Sequence, residues 1–276
     1  MQTENIVFDS AGQTYQQTRI AHWDAIARKR DTWQGMGRWY HQRLMEIYRF
    51  HVTPNLRILE IGCADGRLLA FLKPARGVGV DFSAEMIHRA KAKHPSFEFI
   101  HADAHDLSAL KETFDVIILS DLVNDLWDVQ RVLEQLKALC HPRTRLILNF
   151  YSRLWHVPLG ITQITNLATP NLFQNWLTRE DITALLQLAG FETIRTAQEV
   201  LMPLPLGGLA NRFLVRLWPF REMALSNFVI ARPAPERAQA PKVSVIIAAR
   251  NEAGNIKAIF ERTPQMGSGT ELIFVE

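Results

Sequence analysis

Two periodicities alternate along the middle of the chain. Arg57 to Gly62 (RILEIG), Gly77 to Asp81 (GVGVD), Phe97 to His101, Phe114 to Leu119 (FDVIIL) and Thr144 to Phe150 (TRLILNF) are short, mainly apolar runs, and read as buried strands. Between them lie helical segments, at Arg67 to Leu72 and at Ala84 to Lys93 with Ser83 as N-cap. A third carries Val129, Val132, Leu133, Leu136, Leu139 and Cys140 at steps of three and four. Strand and helix in alternation, with strands apolar on both sides, predict a parallel sheet covered on both faces.

The flanks read differently. Residues 1–17 are polar and aperiodic and are expected to form a loose arm, while Thr18 to His51 has helical spacing, clearest in Tyr40, Leu44, Ile47, Tyr48 and His51. After Tyr151 come a long connection over 154–178, a helix from Arg179 to Ala189 closed by Gly190, and strands at Phe191 to Leu201 and Ala224 to Ala231. Between those strands, Pro203 to Arg221 is an insertion rich in Leu, Pro and Gly that carries Arg212, Arg216 and Arg221. A Pro/Ala-rich stretch from Arg232 to Pro241 then reads as a linker, and Val243 to Ala248 (VSVIIA) begins a new strand. The expected division is an arm and helical cap over 1–52, a main domain over 53–233, a linker over 234–242 and a fragment over 243–276.

Composition narrows the class. With 47% hydrophobic residues, 21% charged and a net charge of +3 over 276 residues, the chain is neither disordered nor a nucleic-acid binder. Cys63 and Cys140 fit no disulfide framework or zinc spacing, which favours a reducing, cytoplasmic setting. No secretion signal opens the sequence, and no apolar run approaches the ~20 residues of a membrane span. His101 and His105 are four apart but straddle a strand end without a third ligand, so no metal site is expected.

In an open parallel sheet the ligand lies beyond the carboxyl ends of the strands. The informative residues therefore follow each strand. After the first comes Glu60-Ile61-Gly62-Cys63-Ala64-Asp65-Gly66, a turn that lets a ligand approach bare backbone; after the second comes Asp81, suited to accept both hydroxyls of a ribose. Asp103 follows the third, and Ser120-Asp121, with Asn124 and Asp125, follows the fourth.

These motifs resemble the class I S-adenosylmethionine-dependent methyltransferases, from about Ile20 to Pro233: LEIGCADG as the first motif, GVDFSAEMI as the second, FIHADAHDL as the third and FDVIILSDL as the fourth. The resemblance implies a Rossmann-like, doubly wound, seven-stranded sheet with S-adenosyl-L-methionine as cofactor. It implies Gly62 and Gly66 against the methionine and ribose portions, Glu60 supporting the loop, Asp81 on the ribose, Phe82 or Met86 against adenine and Asp103 at its amino group, with Cys63, Ala64, Ala104 and Ser120 completing the lining. Ala64 departs from the glycine most common there. A dinucleotide is disfavoured because the turn spaces its glycines GxxxG and lacks the third glycine of GxGxxG.

A sulfonium methyl is already activated, so the protein has to align an acceptor and exclude water, and a base helps when the acceptor is a hydroxyl. Candidates for that work are Asp121, Asn124 and His105, with Tyr40 from the helical cap. The tail, Lys242 to Ile256 with Glu271 to Glu276, resembles the start of a family 2 (GT-A) glycosyltransferase of the branch that loads sugars onto polyprenyl phosphates; Arg250, Glu252 and Glu276 would then face a nucleotide. This implies a fusion, an acceptor that is a small molecule, a sugar or a glycolipid, and a glycosyltransferase part too short to act. The alternative is a non-catalytic cofactor-binding scaffold for that second enzyme. Residues 203–221 are expected to touch a membrane peripherally, cover an apolar substrate, or pack on their own sheet or a dimer interface.

Overall fold

The computed structural model describes residues 10–29, 37–164, 172–201, 207–235, 241–250 and 254–275. The chain divides into two units, 1–234 and 235–276.

The first unit is built on a seven-stranded sheet. Two helices, α1 (Ser10–Lys29) and α2 (Gly37–His51), precede it. Then follow β1 (Arg57–Ile61), α3 (Arg67–Leu72), β2 (Arg76–Asp81), α4 (Ala84–Lys93), β3 (Glu98–His101), β4 (Phe114–Ser120), α5 (Val129–Leu136) and β5 (Cys140–Tyr151). After α6 (His156–Ile164) and α7 (Arg179–Leu188), the sheet is completed by β6 (Phe191–Glu199) and, beyond the short α8 (Gly208–Arg212), by β7 (Ser226–Pro233). The strand order is β3-β2-β1-β4-β5-β7-β6. The order in which strands are added reverses between β1 and β4, which run parallel side by side, so the clefts beyond their carboxyl ends are where a ligand belongs.

Each predicted strand of this sheet is present, and β1 to β5 are parallel as expected. β7 is antiparallel to both β5 and β6. β6 and β7 are consecutive and pair directly, and strands that pair with their successor without a covering crossover helix return antiparallel. The loose arm expected over 1–17 is corrected for residues 10–17, which form the first turns of α1; residues 1–9 lie outside the described residues. Little in its own sequence favours a packed face, and its order comes from distant partners described below.

The apolar residues of the strands fill two layers. Leu59, Ile61, Val78, Ile117, Leu119, Leu146 and Leu148 pack against α5 and α7 on one face. Ile58, Val116, Ile118 and Phe228 pack against α2 and α3 on the other. Ser83 caps α4 by accepting from the Met86 amide at 3.1 Å, and Thr178 with Asp181 forms a capping box on α7.

The second unit pairs β8 (Val243–Ala248) with β9 (Thr270–Val275) in parallel, joined through α9 (Ile256–Arg262). Its βαβ form matches the expected C-terminal fragment. Ile246 and Phe260 are exposed on it. Arg250 is exposed too, whereas Glu252 and Glu276 lie outside the described residues.

Candidate active site

The turn after β1 is shaped by left-handed backbone. Gly62 and Gly66 both have φ 73°, and Ala64 has φ 46°. A side chain at Gly66 would strike the Phe99 ring at 2.6 Å, so this position takes glycine on space as well as conformation.

The acidic residues of the motifs hold this turn in shape. Glu60, buried on β1, accepts from the Leu69 amide at 3.1 Å, and burial pushes its carboxyl well above the usual range. Asp81 accepts from the Ala64 amide at 2.8 Å through one oxygen and from the Ser83 amide at 2.9 Å through the other. It thereby ties the first motif to the second. Cys63 is buried, and its Sγ lies where a Cβ at Gly79 would meet it at 2.8 Å. Burial pushes its thiol up, which disfavours a nucleophilic thiolate. Asp65 faces Lys93 at 3.1 Å and Arg67 at 3.4 Å as a turn anchor.

At the end of the site that the resemblance gives to adenine, the structure gathers Phe82, Asp103 and Ala104 around a cavity of about 30 Å³. Met86 is buried nearby in sequence on α4 but does not line that cavity. Its other walls are Tyr15, Gln16 and Arg19 of α1, with His105, Asp125, Leu126 and Trp127. Gln16 donates to Asp103, and Ser83 donates to Asp24 of α1. Arg19 pairs with Asp125 at 2.7 Å, and the Trp23 indole donates to the same carboxylate at 2.8 Å. A space of this size holds about one water. α1 closes over it, which the sequence did not reveal.

Two of the candidate catalytic residues are committed elsewhere. Asp103 Oδ1 receives His105 Nδ1 at 2.6 Å, while the Asp128 amide donates to Nε2 at 3.1 Å. His105 is thus a connector with both ring nitrogens occupied. Asn124 is fully buried, donating to the Asn175 carbonyl at 2.6 Å and accepting from the Tyr151 amide at 3.1 Å. It secures the chain before α7, and its full burial leaves no exposed atom to offer a substrate.

Asp121 and Tyr40 do come together. The Tyr40 hydroxyl donates to Asp121 Oδ1 at 2.8 Å and lies 2.8 Å from the Ser226 hydroxyl. Asn149 Nδ2 donates to the same Oδ1 at 2.5 Å, and the Tyr48 hydroxyl donates to Asn149 Oδ1 at 2.6 Å. Asp121 has φ 53°, a conformation that costs an aspartate of order 1 kcal/mol and turns it out of the line of β4. Burial raises its carboxyl to about 7, against the lowering pull of Tyr40 and Asn149. Ser120, half-buried, precedes it at the strand end. Asn149 and Ser226 were not anticipated; a polar residue inside the apolar strand LILNF was the available signal.

A doubly wound sheet of this order, with a glycine turn after β1 and carboxylates after β2, β3 and β4, defines a class I methyltransferase site. A family model for the methyltransferase domain matches residues 36–196, and the chain belongs to that family. It is similar to the ubiquinone/menaquinone biosynthesis C-methyltransferase UbiE of Campylobacter jejuni, 24% identical over 182 residues, covering 55% of this chain and 76% of that protein. The demethylmenaquinone methyltransferase of Thermotoga maritima is 25% identical over 200 residues, covering 61% and 86%. Among solved structures, the magnesium protoporphyrin IX methyltransferase of Synechocystis, with bound SAH, superposes with a TM-score of 0.57 at 17% identity over 80% of this chain and all (100%) of that one. The CcbJ methyltransferase of Streptomyces caelestis gives 0.55 at 13% identity over 78% and 98%.

The cofactor is S-adenosyl-L-methionine. The residues present fit it: bare backbone at Gly62 and Gly66 for close approach, a buried carboxylate at Asp81, and apolar Phe82 with Ala104 beside a polar Asp103. When bound, it supplies an electrophilic methyl group.

Proposed function

We propose that this methyltransferase acts on a hydroxyl of a small-molecule, sugar or lipid-linked acceptor, with Asp121 taking the hydroxyl proton. The observation that carries this reading is the Asp121 carboxyl, raised to about 7 and turned out of β4 beside the glycine turn. A base is most effective with a pKa near the working pH, because it is then ionised yet still proton-hungry. Tyr40 and Asn149 hold the receiving carboxylate in place, and Ser226 and Tyr48 fix those two in turn.

Glu60, Gly62, Gly66 and Asp81 would hold the methionine and ribose portions, and Phe82, Asp103 and Ala104 the adenine once α1 has moved. The resemblance of residues 243–276 to the start of a glycosyltransferase supports an acceptor that is itself a sugar or a polyprenyl-linked compound.

The test is transfer of label from methyl-tritiated S-adenosylmethionine to fractionated cell extract. The expected result is one labelled fraction whose bond is an ether, lost with Asp121→Asn. If S-adenosylhomocysteine binds with micromolar affinity and no fraction is ever labelled, the chain is a cofactor-binding scaffold and the proposal fails.

A further inference from the structure

A cavity of about 1130 Å³ lies apart from the site above, between α2, the edge strand β6 and the segment from α8 to Arg221. None of its lining residues belongs to the glycine turn, the adenine end or the Asp121 network. Its wall is unusual in charge. Arg43, Arg179, Arg195, Arg212, Arg216 and Arg221 all contribute, against only Glu46 and Glu199.

Part of this charge is compensated. Arg43 pairs with Glu46 at 3.1 Å and lies 3.7 Å from Glu199, and Arg179 and Arg221 share Glu222 at 3.4 and 3.2 Å. Among the described residues, Arg195, Arg212 and Arg216 make no direct ion-pair contact, and Glu199 attracts Arg195 and Arg216 only at longer range. The buried Nε of Arg43 also has no hydrogen-bond partner. One carboxylate, Glu199, facing Arg43, Arg195 and Arg216 leaves an excess of positive charge on this wall, and an oxyanion that accepts from several guanidinium groups offsets it. The chain as a whole has a net charge of only +3, so the concentration of arginines is local rather than a reflection of composition.

The same segment carries a second property. Arg212, Val215, Arg216 and Arg221 line the cavity, while Phe213, Leu214, Leu217, Trp218 and Phe220, interleaved with them, are exposed, Trp218 to 79%. Cavity-lining arginines interleaved with exposed aromatic and aliphatic residues along one segment suit a ligand with a charged head and a hydrocarbon body. We infer that this cavity is a binding site for a phosphate-bearing amphiphile, its phosphate held by Arg195, Arg212 and Arg216 and its hydrocarbon laid on the exposed apolar residues of 213–220. The cavity is large enough for a head group beyond the phosphate, since drug-sized ligands occupy roughly 300–1,000 Å³. This site is independent of which hydroxyl receives the methyl group.

The test is calorimetric titration of the full chain with dodecyl phosphate below its micellar concentration, with inorganic phosphate and with dodecyl maltoside. Dodecyl phosphate is expected to bind, inorganic phosphate to compete for the same site at least tenfold more weakly, and dodecyl maltoside not to bind. The double variant Arg212→Gln/Arg216→Gln should weaken dodecyl phosphate at least tenfold. Lys91→Gln/Lys111→Gln, which removes the same charge from exposed positions elsewhere, should leave it unchanged. Equal binding of dodecyl maltoside, equal affinity for inorganic phosphate, or no difference between the two double variants would overturn the inference. S-adenosylhomocysteine binding, measured on the same proteins, is expected to be unaffected by either pair and reports on the methyltransferase site separately.

Discussion

The Tyr40 hydroxyl donates to Asp121 Oδ1 at 2.8 Å, joining the cap helix α2 to the end of β4. A donor on the ionised carboxylate stabilises its charged form, so removing it must raise the carboxyl further. Tyr40→Phe is expected to shift the acid limb of the pH–rate profile upward by about one unit, the scale of one charge-assisted hydrogen bond. The midpoint of that limb is the measurement, and an unmoved midpoint would separate Tyr40 from the base.

Asp121→Asn should lower kcat about a hundredfold or more, the usual contribution of a general base, while S-adenosylhomocysteine binding persists. The same change has a signed effect on stability. Because the folded carboxyl is raised to about 7, wild type in the folded state keeps a proton that the unfolded chain has released above about pH 4. Its stability therefore falls between about pH 4 and 7 and levels off above. Asp121→Asn is expected to melt with the wild type near pH 4 and higher than it above pH 7, as read from Tm against pH.

Asp81 joins two motifs through the Ala64 and Ser83 amides. Asp81→Asn cannot accept at both oxygens, so one amide loses its partner at a cost of about 1–3 kcal/mol. Thermal shift should show a lower melting temperature and at least a tenfold weaker response to S-adenosylhomocysteine. Undiminished stabilisation by the ligand would remove Asp81 from the cofactor site.

Much of this site was legible in the sequence because its parts are local. The glycine turn and Asp81 follow strands whose apolar runs end sharply, and Ser83 announces α4 by its own chemistry. The cover formed by α1 was not legible. Tyr15, Gln16 and Arg19 are ordered by Asp103 and Asp125, far along the chain, and nothing in their own spacing encodes those partners. The direction of β7 was hidden for the same reason, since it depends on which strands it pairs with rather than on its own pattern. His105 and Asn124 stood at the right end of the sheet, but position there does not reveal whether a side chain is already satisfied by its neighbours.

Arg19 is 5% exposed and its partner Asp125 holds it against the sheet domain. Asp125→Ala would strand a buried cation and is expected to destabilise the fold by roughly 3–5 kcal/mol. Arg19→Met with Asp125→Leu should recover most of that loss in denaturant unfolding, because the unpaired charge is gone.

Ala64 keeps a left-handed φ of 46° that glycine adopts without strain. Ala64→Gly is expected to raise stability by up to about 1 kcal/mol, or a few degrees in Tm, without weakening S-adenosylhomocysteine.

The central claim is that Asp121 is held half-ionised near neutrality. Carboxyl ¹³C NMR of the wild-type chain, with the Asp121 resonance assigned by its loss in Asp121→Asn, measures this without any acceptor. A titration midpoint near pH 7, rising in Tyr40→Phe, is the predicted result. A midpoint near 4, the ordinary aspartate value, would contradict it.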